Sequence, residues 1–260
     1  MELKLDLKKT IEQNASDYFD KAKKSKKKIE GIKKALLGFE KEKEEVLKER
    51  EKIIKKEEKI LEKEKEKRKR TKKWYEKFRW FISSEGFLCI GGRDATTNEI
   101  IVKKHADPED IVFHTEAPGS PFFVVKTEGK KPGEATLKET AQATAAYSKA
   151  WKMGLATALV YWIKPEQVRK ELGLPKGSFM IHGKRNYSEP ALTIAVGILP
   201  DGTVMAGPVE AVKKNCGKIV VLFQGRHKKS DIAKKIAKII SGDLDEIISA
   251  LPAGEFEAKK

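Results

Sequence analysis

None of the ten prolines and only two of the 19 glycines, Gly31 and Gly38, lie before residue 81 of this 260-residue chain. These are the residue types that interrupt helices. The first 80 residues are therefore free to form one continuous helix, and nearly every turn signal falls after them. Within that first segment apolar residues recur every seven positions, at Ile11, Tyr18, Ile32, Phe39, Val46, Ile53 and Ile60, with Ser25 as a gap. A companion row of Ala15, Ala22, Ile29 and Leu36 turns charged at Lys43, Arg50 and Glu57, and a third row takes over at Leu47, Ile54 and Leu61. Alternation of three and four is a coiled-coil seam. The first row keeps its phase through both glycines, which favours one long helix over an antiparallel hairpin. A seam must be buried, so a partner helix is expected, from another chain or from sequence outside this one.

The charge follows the same division. Residues 1–80 hold 29 Lys and Arg against 18 Asp and Glu, net +11, and residues 81–260 hold 26 against 21, net +5. Two domains are predicted: a charged coiled-coil rod over 1–80 and a compact domain over 81–260. The rod ends in RKRTKKWYEKFRWFISSEGF, where Trp74, Phe78 and Phe81 continue the helical spacing and are expected to dock it onto that domain. Lys67–Lys73, six basic residues in seven, would stay exposed as part of a phosphate-binding surface.

From residue 85 the pattern changes to short apolar runs separated by turns. Strands are expected at Phe87–Ile90, Glu99–Lys103, Asp110–His114, Pro121–Lys126, Ala156–Ile163 and Lys218–Phe223. Ala191–Leu199 and Val204–Ala206 read as a hairpin through Pro200-Asp201-Gly202. The Ala-rich stretch Glu134–Met153 reads as a buried helix capped by Gly154. A short helix follows Pro208, and Ser230–Ser241 reads as an amphipathic helix with Ser230 or Asp231 as its N-cap. Strands in a run with one large helix argue an α+β domain on a mixed or antiparallel sheet.

An overall formal charge of +16 predicts attraction to a polyanion. No apolar run approaches the roughly 20 residues that span a bilayer, and MELKLDLKKT lacks a signal core. An intracellular, cytoplasmic protein without membrane contact is expected. Cys89 and Cys216 form no C-x-x-C pair, so neither a disulfide framework nor a zinc site is expected. Nucleotide-loop and zincin motifs are absent, and neither a cofactor nor an enzymatic activity is expected. The four histidines are far apart; His114 with Asp110, or Arg93 with Asp94, are the pairs available for metal binding or acid–base work. Basic loops are the stronger signal. Gly183-Lys184-Arg185-Asn186-Tyr187 offers charge beside a stackable ring. Lys103 and Lys104 end one expected strand, Arg226 and Lys228 follow another, and Arg93 follows two glycines. That combination suits looped or single-stranded RNA.

Four segments carry a resemblance. WYEKFRWFISSEGFLCIGGRDATTNEIIVKKH, DIVFHTEAPGSPFFVVKT, PGEATLKETAQATAAYSKAW and GSFMIHGKRNYSEPALTIAVGIL together resemble the NFACT-R domain, and DLKKTIEQNASDYFDKAKKSKKKIEG looks like the middle coiled coil of the same family. These are the nuclear-export-mediator-factor and fibronectin-binding-protein-A-like factors of ribosome quality control, and an archaeal source is expected. The resemblance covers about residues 5–225. It implies RNA binding: family members engage the large ribosomal subunit after it splits on a stalled message, reading rRNA and the trapped peptidyl-tRNA. Carried over by motif, the candidate contacts include Gly92, Arg93 and Asp94, His114, Gly119 and Ser120, and Gly183, Lys184 and Arg185. The family's N-terminal module and helix-hairpin-helix region have no counterpart in this sequence, so the tail synthesis tied to them is not expected of it. A metal-dependent nuclease using His114, and a protein-interaction module without RNA binding, are the alternatives.

Overall fold

The computed structural model describes residues 4–69 and 72–258, with Glu40 and residues 55–69 described by backbone alone. It divides into two units, Met1–Lys72 and Lys73–Lys260.

The first unit is a single α-helix, α1 (Ile11–Lys69). Its 59 residues span about 90 Å at roughly 1.5 Å per residue. Gly31 and Gly38 lie within it, so no hairpin forms there. Its start is built by side chains. Thr10 Oγ1 accepts from the Gln13 amide at 3.3 Å while Gln13 Oε1 accepts from the Thr10 amide at 3.1 Å, a reciprocal cap. Asn14, the one buried polar residue of this unit among those described, accepts from the Asp6 amide and donates to the Asp6 carbonyl. Tyr18 Oη donates to the Lys4 carbonyl. The expected seam is exposed along the helix: Ile11, Ile32, Phe39, Val46 and Ile53 all lie open. Ile60 and Leu61 are outside the described side chains, as is most of the Lys67–Lys73 run.

The second unit opens with a 3-10 turn, Trp74–Lys77, and strand β1 (Arg79–Ile82). The aromatic stripe is therefore not a continuation of the helix. Phe78 and Phe81 are fully buried inside this unit, Phe81 on the strand. The chain continues through β2 (Leu88–Gly91), α2 (Ala95–Lys104), β3 (Ile111–Thr115) and β4 (Phe123–Lys126). Helices α3 (Glu134–Ala146) and α4 (Lys149–Lys152) follow. The expected single helix is broken at Tyr147–Ser148, where the Ser148 hydroxyl caps the new turn by accepting from the Ala150 amide at 3.1 Å. Then come β5 (Val160–Ile163), β6 (Val168–Arg169), β7 (Met180–Ile181), β8 (Asn186–Ser188), β9 (Ile194–Ile198) and β10 (Val204–Gly207). The chain ends with α5 (Val209–Asn215), β11 (Ile219–His227), α6 (Lys229–Ile240), α7 (Leu244–Ala250) and β12 (Phe256–Ala258).

Two sheets organise the unit, in the orders β1-β2-β4-β3-β5-β8 and β10-β9-β11-β12, and β6 and β7 form a separate two-stranded ribbon. Every ladder is antiparallel. The hairpin β9–β10 forms as expected, with Gly202 at a positive φ of 82° and Asp201 accepting from the Thr203 amide. Strand alternation divides the first sheet's side chains between two cores. Cys89, Phe113 and Phe123 face α3 and the second sheet; Ile90, Val112, Phe122, Val124 and Tyr161 face the other way, with Ile101 of α2. Helix α3 is small-sided and close-packed; its buried Thr140 and Thr144 hydroxyls are satisfied by the Thr136 and Thr140 carbonyls.

Glu99–Lys103 is the clearest departure from the sequence reading: it is the body of α2, not a strand. Asp94 Oδ1 accepts from the Thr97 amide at 2.8 Å, and Thr97 Oγ1 accepts from the Asp94 amide at 2.9 Å. This cap nucleates a helix whose Ile100-Ile101-Val102 would otherwise favour a strand. The N-cap of α6 is Lys228 in extended conformation, without a side-chain cap bond, so neither Ser230 nor Asp231 fills that role.

Candidate nucleic-acid interface

A cavity of about 610 Å³ opens beside α2, between the ends of β2, β3 and β5. Its walls come from segments distant in sequence: Gly92-Arg93-Asp94, His114–Phe122, Tyr161 and Lys176–Ile181, closed by Arg185. Arg79 and Tyr147 also line it.

The Gly91-Gly92 pair sets one wall. A Cβ on Gly91 would stand 2.5 Å from the Phe123 ring, and one on Gly92 would stand 1.8 Å from Asn98 Oδ1. That Asn98 oxygen accepts from the Phe122 amide at 3.0 Å, tying α2 to β4. Arg93 turns its guanidinium away from solvent chemistry. Nε donates to the Lys77 carbonyl and Nη2 to the Phe78 carbonyl, both at 3.0 Å, and Nη1 to the Ser249 carbonyl at 2.7 Å and its Oγ at 2.8 Å. Asp94 is the α2 cap, and that Thr97 bonding holds its carboxyl below the ordinary range.

The opposite wall is aromatic. The His114 ring stacks on Phe122, centroids 4.3 Å apart, and Phe179 meets Phe122 edge-on at 5.3 Å. His114 Nδ1 lies 2.7 Å from the Thr115 carbonyl. A carbonyl only accepts, so Nδ1 carries the proton. Burial holds this imidazole below its ordinary pKa, and so neutral near pH 7. Ser120 is buried and its hydroxyl is engaged, accepting from the Thr115 amide at 3.0 Å. Gly119 adopts φ 99°, with the Lys149 stem where a side chain would go.

The rim is charged. Arg185 forks onto Glu116, Nη1 2.9 Å from each carboxylate oxygen, and its guanidinium lies 4.8 Å over the Tyr161 ring. Tyr187 donates to the same carboxylate at 3.3 Å. It is half-exposed on edge strand β8, not in a free loop. The segment Lys176–Phe179 forms the roof. A Cβ on Gly177, which adopts φ 79°, would stand 2.7 Å from Ala95 Cα, and the Gly177 amide donates to Glu99 Oε2 at 3.0 Å. Lys103 and Gly177 hold the Glu99 carboxyl down to about 2.

The structure thus brings Arg93, His114, Ser120 and Arg185 to one cavity. Lys103 is paired with Glu99 at 2.6 Å at the exposed end of α2, beside Lys104. Lys184 is exposed next to Arg185, while Arg226 and Lys228 are exposed at the far end of β11. Asp110 does not join His114: it is buried against Lys126 and accepts from the Thr127 amide at 2.8 Å. Among the described residues, no group of three or more His, Cys, Asp or Glu is placed to hold a metal ion. Sequence reasoning missed Arg79, Phe122, Tyr161 and Phe179. Tyr161 and Phe122 sit in apolar runs that read as core, and Phe179 in a segment without periodicity; only the neighbouring Lys176-Gly177 signalled a turn.

Comparison with known proteins bears on this face directly. Residues 77–183 match the family described as "NFACT protein RNA binding domain". The "Archaeal Rqc2 homolog aRqcH" of Methanocaldococcus jannaschii is 39% identical over 206 residues, 75% of this chain and 31% of that protein. The human "Ribosome quality control complex subunit NEMF" is 41% identical over 130 residues, 48% of this chain and 12% of its own. The "Ribosome quality control complex subunit 2" of Schizosaccharomyces pombe is 38% identical over 140 residues, 50% and 13% respectively. This chain spans under a third of the length of these relatives.

Proposed function

We propose, for a chain that belongs to the NFACT family, that it binds RNA through the cavity face of its second unit and acts in ribosome quality control. Its partners on this reading are rRNA of the large ribosomal subunit and the stalled peptidyl-tRNA that subunit carries. One observation supports it above the others. The segment matching an RNA-binding domain supplies most of the cavity wall, and the wall joins aromatic rings to Arg79, Arg185 and Lys176. Aromatic faces beside cations are the elements of single-stranded recognition.

We read the chain as a binding module without catalysis of its own. The polar groups that would serve an enzyme are engaged in the fold: Asp94 as a cap, Ser120 on backbone, Asp110 on Lys126. No helix among the described residues is long and apolar enough to cross a membrane.

The test is binding of the full chain to purified large subunits, with and without peptidyl-tRNA, and to small subunits, across a salt series. Each neutralised phosphate releases counterions, so the log–log slope should be about −0.7 to −0.9 per contact. Binding that ignores salt would refute RNA recognition and favour a protein-interaction module, and equal salt-sensitive binding to both subunits would refute the large-subunit assignment.

A further inference from the structure

We propose that the cavity takes one unstacked nucleobase of the bound RNA, seated against the His114, Phe122 and Phe179 rings. This deepens the RNA-binding reading above and rests on it.

Three observations carry the inference. The volume, about 610 Å³, falls in the range of roughly 300–1,000 Å³ typical of small-molecule sites and suits one nucleotide rather than a helix. The rings form a connected aromatic group: His114 on Phe122, Phe179 on Phe122, and Tyr161 6.0 Å from His114. Flat apolar walls of this kind receive a base pulled from its stack. The polar groups left over are the right ones. Among the described residues, the Arg79 side chain makes one hydrogen bond, 3.4 Å to the Leu251 carbonyl, lies over the Tyr147 ring and has no carboxylate partner. With Lys176 it provides counter-charge for flanking phosphates. A duplex cannot present a base this way, so the ligand is a single-stranded, looped or terminal nucleotide.

The experiment titrates the full chain with nucleoside 5′-monophosphates and with ribose 5-phosphate, observing the His114 ring protons by NMR, and measures single-stranded RNA affinity in parallel. Monophosphates should shift the His114 signals and ribose 5-phosphate should not. Phe179→Ala should weaken both monophosphate and RNA binding by roughly tenfold with an unchanged salt slope. Should F179A lose its fold, Phe179→Leu keeps an apolar side chain, removes the ring face and gives the same reading. Equal binding of ribose 5-phosphate would reduce the site to an anion pocket and overturn the proposal. So would wild-type RNA affinity in a folded Phe179 variant, which would leave the RNA-binding reading standing. No RNA binding by the wild type would overturn both.

Discussion

Arg93 is the residue whose replacement separates a folding role from an RNA role most sharply. Its guanidinium reaches three carbonyls, those of Lys77, Phe78 and Ser249, and so joins the 3-10 turn at the start of the unit to the end of α7. Arg93→Ala leaves all three without that charged donor. Hydrogen bonds to charged groups contribute about 1.5–3 kcal/mol each when well shielded. Arg93 is only half-buried, so water recovers part of the loss, and bonds from one side chain are not additive. A destabilisation of about 2–4 kcal/mol follows. For a unit of this size each kcal/mol moves Tm by about 2–4 °C, so the expected drop is about 4–16 °C. Arg93→Lys should restore less than half of it, because one ammonium cannot span three separated carbonyls. All four tryptophans, Trp74, Trp80, Trp151 and Trp162, lie in this unit. Tryptophan fluorescence during thermal and urea melts therefore reports on it without the long helix. A Tm change under about 2 °C, with an RNA salt slope flattened by about 0.7, would refute the tether and make Arg93 a phosphate contact.

Other perturbations probe the remaining parts. Lys184→Ala should flatten the single-stranded RNA salt slope by about 0.7, whereas Tyr187→Ala should cost about 1–3 kcal/mol of affinity at unchanged slope; unaltered binding in both would remove this edge strand from the interface. Burial, then Arg79 and Arg93, push Lys229 down to about 8 from its ordinary 10.5. Between those values the unfolded chain holds a proton that the folded chain has released, so stability should rise with pH from about 8 towards 10. Lys229→Met should flatten that rise in urea-melt midpoints, and a wild-type profile that is already flat would contradict the burial argument. Glu99→Ala removes the acceptor under Gly177, so hydrogen exchange at that amide should accelerate while Tm changes little; unchanged protection would show that the roof is held by other contacts.

How much of this was legible beforehand depends on the range of the deciding interaction. The long helix, the β9–β10 hairpin, the short helix after Pro208 and the buried Cys89 strand follow from local pattern. Burial also raises the Cys89 thiol to about 12, as a small buried hydrophobe requires. Residues 99–103 were misjudged because Ile100, Ile101 and Val102 carry strand propensity, while the decisive Asp94–Thr97 cap lies just upstream. The aromatic stripe was misjudged for the opposite reason. Trp74, Phe78 and Phe81 do have helical spacing, but Trp74 stays exposed and the burial partners of Phe78 and Phe81 belong to sheets that only the tertiary fold assembles. Within the site, Arg185, His114 and Gly92-Arg93-Asp94 could be picked by residue type and motif. That they meet Tyr161 and Phe179 depends on the sheet order, which no single segment encodes.

The packing around Gly91 and Gly92 has a consequence for how mutational data on this chain would read. A library selected only for solubility, with no RNA in the assay, should keep Gly91, Gly92, Asp94 and Asn98 almost invariant, since a single added carbon meets Phe123 or the Asn98 amide below contact distance. Intolerance in this run would therefore be silent about ligand. The informative positions are those that such a selection leaves free and a binding selection does not. Lys176 and Lys184, whose exposed side chains have no hydrogen-bond or ion-pair partner among the described residues, are where the two libraries should part.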